Sequence, residues 1–202
     1  MSKLSLTSVI ALSTLAVLSG CQQRDASSLD ASAQETTFHA ANYPLGMTYD
    51  TELARVDGDA SSYFDNGGWQ LQDDAPGERL VALTLPESND VTTALWRLGA
   101  SRNANAVDRC LTLPDNAQTL PSQATIAGNA FTAFTLDDAG MSHFQNIEGY
   151  RAVIDDTCYA VDMIVQGVNG MVYDPPRQPP FSKEEAMARL RSINDGISFD
   201  SE

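Results

Sequence analysis

Between Cys158 and Gln166 nearly every position is apolar, with Asp162 as the one interruption. A short continuous run of that kind reads as a strand buried on both faces, interior to a sheet. A long strand is predicted just before it, over His143 to Ile154, with a tight turn at Asp155-Asp156-Thr157. Further upstream, Ala124–Ala127 and Ala130–Leu136 flank Gly128-Asn129, a pair that predicts a two-residue hairpin turn with Gly supplying the positive φ. Gly68-Trp69-Gln70-Leu71-Gln72 alternates as a half-buried strand should. It is followed by a turn at Asp73-Asp74-Ala75-Pro76-Gly77 and a largely apolar strand from Arg79 to Leu85, so a hairpin is expected. In Val91–Ala100 the spacing of Val91, Ala94, Leu95 and Leu98 also fits a helix, but Thr92, Thr93, Trp96 and the density of apolar residues favour a strand.

Helical periodicity is confined to two segments. Asn103–Leu111 predicts a short helix with Ala106, Val107, Cys110 and Leu111 on one side. After Phe181, Ser182-Lys183-Glu184-Glu185 forms a capping box, in which the serine accepts from the amide of Glu185. Ala186, Met187, Leu190, Ile193 and Ile197 then make an apolar stripe, Arg189 and Arg191 suit the C-terminal end of the helix dipole, and Gly196 ends it. Together these elements predict an α+β fold: a mainly antiparallel sheet, run as a meander, with a C-terminal helix packed on it.

The N-terminus has a different grammar. Lys3 precedes an apolar stretch from Leu4 to Leu18, shorter than the roughly 20 residues a membrane span needs. Leu18-Ser19-Gly20-Cys21 follows, and then the polar run Gln22-Gln23-Arg24-Asp25. A charged start, a short apolar core and small residues before the cut describe a secretory signal. Leu18-Ser19-Gly20-Cys21 resembles the lipobox of bacterial lipoproteins. That resemblance implies a signal peptide over residues 1–20, a diacylglyceryl (palmitate-type) modification of the Cys21 thiol and cleavage before it. Gln22 rather than Asp after the cysteine implies, by the same analogy, sorting to the periplasmic face of the outer membrane. Residues 21–37 are poor in apolar side chains and read as a disordered tether, leaving residues 38–202 as a single domain. The region from Gly128 to Phe199 resembles uncharacterised bacterial periplasmic lipoproteins, through Gly128-Asn129-Ala130-Phe131, Tyr150-Arg151, Cys158-Tyr159-Ala160-Val161-Asp162 and Tyr173-Asp174-Pro175-Pro176. The same analogy suggests a PsbP/Mog1-like sandwich.

Export changes the meaning of the cysteines. Of three, Cys21 is the lipidation candidate, which leaves Cys110 and Cys158 in an oxidising compartment where an even pair usually bonds. A redox pair would be more closely spaced, and a metal site would need more Cys or His than remain. Charge excludes another class. The 202 residues hold 12 Lys+Arg against 27 Asp+Glu, a net charge of −15, which argues against a nucleic-acid partner.

Few residues suggest chemistry. His39 and His143 are the only histidines. His39 sits at the end of the expected tether. His143, as an imidazole, is a candidate general base, but no Gly-x-Ser-x-Gly elbow presents a nucleophile, and a polar residue at a strand end is the expected role. Asp162 in an apolar strand must find a donor, and Arg151 on the neighbouring strand is the expected partner. Asp73-Asp74 and Asp137-Asp138 lack the spacing of a calcium loop and read as solvated turns.

 The long connection Val168–Pro180 holds four prolines, Pro175, Pro176, Pro179 and Pro180, with Arg177 and Gln178 between the two pairs. The plain reading of this loop is a rigid lead-in to the Ser182 cap; the functional one, since loops this long often have a role and stiff prolines lower the entropy lost on binding, is a contact for an envelope protein partner. No cofactor is implied. The whole pattern favours a lipid-anchored envelope lipoprotein with a non-enzymatic binding or accessory role. The alternative is a small periplasmic hydrolase or inhibitor-like module using His143 or Asp162.

Overall fold

In a computed structural model, residues 34–57, 67–71 and 75–200 are described. The lipobox, Cys21, and the acidic pair Asp73-Asp74 lie outside them. The elements run β1 (Glu35–His39), β2 (Leu45–Asp50), β3 (Ala54–Arg55), β4 (Glu78–Thr84), β5 (Thr92–Ser101), α1 (Ala104–Asp108), β6 (Gln118–Thr119), β7 (Ala124–Ile126), β8 (Asn129–Gly140), β9 (His143–Ile154), β10 (Thr157–Val168), α2 (Lys183–Ile193) and β11 (Ile197–Phe199). The described strands form an eight-stranded sheet, ordered β3-β4-β5-β10-β9-β8-β6 with β7 also on β8, and a three-stranded sheet, β1-β2-β11. All pairings are antiparallel. The fold is therefore α+β, a mostly antiparallel sheet with the C-terminal helix against it, as the sequence pattern predicts.

β10 lies at the centre of the large sheet, between β5 and β9. Successive side chains on a strand point to opposite faces. On one face, Tyr159, Val161, Met163 and Val165 of β10 join Ala94, Trp96 and Leu98 of β5 in the main core, together with Ala186 and Leu190 of α2 and Leu45 and Met47 of β2. Trp96 is fully buried, and its indole nitrogen donates to Asn194 Oδ1 at 2.8 Å, so its one polar atom is satisfied beneath the helix end. On the other face, Cys158 and Ala160 pack with Trp69 and Ala106, and Ile164 with Leu95 and Ile147. Burial on both faces is why β10 carries no polar alternation.

Ser182 caps α2, accepting from the Glu185 amide at 3.1 Å. Cys110, just beyond α1, is joined by a disulfide to Cys158 at the start of β10, with Cα atoms 5.6 Å apart. The described boundaries correct several expectations. Thr36 and Thr37 are not tether but part of β1, paired with Tyr49 and Thr48, and His39 is an exposed residue of the same strand. Of the expected strand Gly68–Gln72, the described residues form an irregular segment. Its apolar positions still turn inward, with Trp69 buried and Leu71, partly buried, packed against the cluster of Leu95 and Ile164. The Trp69 indole donates to the Ala75 carbonyl at 3.0 Å, and the Trp69 backbone lies against Gly99, where a Cβ would meet the Trp69 carbonyl oxygen at 2.0 Å. β4 pairs instead with β3 and β5. The hairpin turn between β7 and β8 is Ala127-Gly128, both at positive φ, one residue earlier than Gly128-Asn129, because Asn129 already pairs with Ile126. Asp137 and Asp138 lie within β8 rather than in a turn. Ile197 belongs to β11, not to the helical stripe.

Candidate functional site: a strap and concavity at one end of the sheet

The end of the sheet where β5 begins and β10 finishes gathers two features of the sequence, His143 and the proline-rich connection. Met141 and Ser142, at φ 50° and 69°, make the tight turn between β8 and β9. The amide of Asn169, just after β10, donates to the Ser142 carbonyl at 2.8 Å, and the amide of Val168 donates to the Val91 carbonyl at 3.0 Å. Asn169 Oδ1 then accepts from the amide of Met171 at 3.0 Å, which starts a short 3-10 turn over Gly170–Val172. The chain doubles back from there. The Arg177 amide donates to the Gly170 carbonyl at 3.0 Å, and a Cβ on Gly170 would lie 1.9 Å from the Arg177 carbonyl oxygen, so only glycine permits this approach.

Side chains fasten the strap. The Arg177 guanidinium holds both oxygens of Asp90, at 2.5 and 2.8 Å, and lies over the Tyr173 ring, 4.7 Å from its centroid. The Tyr173 hydroxyl donates to the Asp90 carbonyl at 3.3 Å. The Arg177 hydrogen bond holds the Asp90 carboxyl below the usual carboxylate range. Asp90 is positioned by Asn89, whose Oδ1 accepts from the amides of Val91 and Thr92 at 2.9 and 3.1 Å and turns the chain into β5.

Beside the strap lies a shallow concavity of about 600 Å³, lined chiefly by Val91, Met141, His143, Phe144, Val168 and Pro179. Ser142 also lines it, so it holds a histidine and a serine, but no carboxylate is among the described residues lining it. The three members of a hydrolytic triad are therefore not brought together here. The apolar surface continues outward: Met141 is 88%, Met171 69% and Val172 55% exposed.

Asp162 is elsewhere and sealed. Its carboxylate, fully buried, bridges two guanidiniums across the sheet, Arg97 Nη2 at 2.9 Å and Arg151 Nη1 at 2.8 Å. Arg151 also donates to the carbonyls of Tyr150 and Val161, at 2.9 and 3.3 Å, and lies over the Phe134 ring. The pairing with Arg151 is the one the sequence suggests. Arg97 is the partner it does not reveal, because β5 and β10 meet only through the fold. A second charged cluster fastens α2 to β9. Glu148 accepts from Arg191 Nε at 3.0 Å and Nη2 at 2.5 Å, and from the Tyr150 hydroxyl. Burial pushes the Glu148 carboxyl up, but the Arg191 and Tyr150 hydrogen bonds outweigh it and leave it below its ordinary value. Burial and the same bond to Glu148 push the Tyr150 hydroxyl well up.

A larger groove of about 820 Å³ runs between α2 and the small sheet, rimmed by Glu35, Asp50, Glu52 and Asp195, with Arg189 held by Glu87 at 3.3 Å. Among the described residues no group of three or more His, Cys, Asp or Glu side chains gathers as metal ligands, and no helix is long and apolar enough to cross a membrane.

No family model matches the chain, and no curated protein matches it. Among solved structures, the chain is similar to the crystal structure of LpqN, involved in cell envelope biogenesis of Mycobacterium tuberculosis, at 12% identity, over 83% of this chain and 91% of that one, with a TM-score of 0.43.

Proposed function

We propose that this chain is a lipid-anchored lipoprotein of the bacterial cell envelope, held through Cys21 on the periplasmic face of the outer membrane, with a non-enzymatic accessory role: it presents the strap Val168–Pro180 to a protein partner. One observation carries the binding role. The strap is already folded back and fastened by Asp90, Tyr173 and Arg177, yet it leaves Met171 and Val172 exposed beside an apolar concavity that opens at Met141. Exposed apolar residues gathered in one place mark interaction surfaces, and a preformed loop loses little entropy on binding. The hydrolase alternative has less support. His143 and Ser142 share the concavity without a carboxylate among its described lining residues, and Asp162 is out of a substrate's reach.

Site-specific photocrosslinking in cells tests this reading. A benzophenone side chain at Val172 is expected to give a discrete protein adduct, while the same probe at Val153, exposed on β9, gives none. Replacing Arg177 with Ala should weaken the Val172 adduct by loosening the strap. Equal adducts at both positions, or none at Val172, would overturn the strap as a contact.

A further inference from the structure

The chemistry around the strap specifies its occupant. The cations that border this end of the sheet are engaged: Arg177 with Asp90, Lys183 with Asp137 at 3.4 Å, and Arg189 with Glu87 at 3.3 Å. Around them, Asp138 on β8, Asp174 in the strap, and Glu184 and Glu185 in the first turn of α2 are exposed and make no ion pair among the described residues. The rim is thus acidic in excess, and its centre is apolar and built on methionines, whose flexible side chains adapt to varied aliphatic shapes. An anionic lipid surface meets repulsion at such a rim, whereas a cationic partner meets attraction that also steers its approach.

We infer that the occupant of this surface is a basic, apolar segment of a partner protein, with aliphatic side chains seated on Met141, Met171 and Val172 and lysines or arginines facing Asp138, Asp174, Glu184 and Glu185. This rests on the reading of the strap as a partner-binding surface, and it adds the chemistry of the partner.

The methionines supply the measurement. In the processed chain, labelled at the methionine methyls and held in phosphatidylcholine nanodiscs, Met141 and Met171 report on the surface. Met47, Met163 and Met187 are buried and serve as internal references. An alternating leucine–lysine peptide is expected to shift the Met141 and Met171 signals and leave the other three in place, with an affinity that falls as salt is raised. A leucine–glutamate peptide of equal length should shift none. Converting Asp138 and Asp174 to Asn and Glu184 and Glu185 to Gln should weaken the leucine–lysine peptide by at least about tenfold. Equal response to both peptides would reduce the surface to unselective apolar adhesion. Signals perturbed by the nanodisc lipid and indifferent to peptide would make it a lipid contact. Either result overturns the inference, as does silence toward the leucine–lysine peptide. If a Val172 adduct still forms in cells in that last case, partner binding stands and only the partner's basic character is lost.

Discussion

Asp162 shares a single carboxylate between two buried guanidiniums, so the second face of the large sheet holds charges that depend on one residue. Arg97 and Arg151 are 1% and 3% exposed, so neither can turn to water when its counter-charge is removed. Asp162→Asn keeps the shape and deletes the charge. It is expected to cost about 3–5 kcal/mol, the usual consequence of breaking a buried pair from one side. A matching fall in the urea midpoint with an unchanged slope would show it; a loss under about 1 kcal/mol would mean that Asp162 contributes as an ordinary surface ion pair does. Glu148 makes a prediction in pH. Its carboxyl titrates below the ordinary glutamate value in the folded chain, so its contribution to stability is present above that ordinary value and lost as pH falls through the depressed one. Melting temperature should therefore drop more steeply below about pH 4.5 in the native chain than in Glu148→Gln. Parallel acid limbs would assign the acid sensitivity to other carboxylates.

Elements differ in how plainly the chain announces them. β9 is legible to the residue, and β10 nearly so, because consecutive strands joined by tight turns follow local pattern. The small sheet is not. β2 opens with Leu45, Gly46 and Met47 all buried, so it shows no alternation at that end, and β11 is three residues long and finds its partner only after α2 has turned the chain back to β2. The candidate surface divides in the same way. His143 and the prolines can be read directly, but Asp90, 87 residues from Arg177, becomes part of the strap only when β5 and β10 are neighbours. Met141 and Met171 give no signal in sequence, since apolar residues are ordinarily expected inside. The disulfide acts at this scale too, closing 48 residues that include β6 to β9 and fastening the end of α1 to the central strand. In the chain-entropy picture that closure stabilises the fold by roughly 4 kcal/mol. Converting both cysteines to Ser should lower unfolding free energy by an amount of that order. Non-reducing peptide mapping of exported material should find Cys110 linked to Cys158, and two free thiols there would refute the bond.

At the scale of the whole molecule, charge and the proposed anchor would oppose each other, and this makes the proposed lipid on Cys21 testable. A chain of net charge −15 is repelled by anionic bilayer surfaces, so stable retention on a membrane cannot come from general electrostatic adhesion. Acyl chains on Cys21 would overcome that repulsion by burying methylene groups at about 0.8 kcal/mol each; one chain would give only marginal binding, whereas two or more would hold the protein in place. Cys21→Ala removes the only thiol in the lipobox-like motif. The expected result is loss of labelled palmitate and accumulation of precursor that still carries residues 1–20. The native chain should instead incorporate label and stay with the membranes through washes at high salt and at alkaline pH, conditions that strip electrostatic contacts. Raising salt also screens the repulsion, so a native chain that leaves the membrane in low salt and returns in high salt would indicate a weak apolar contact rather than covalent lipid. Unchanged palmitate labelling in Cys21→Ala would place the lipid on another residue and end the assignment of Cys21.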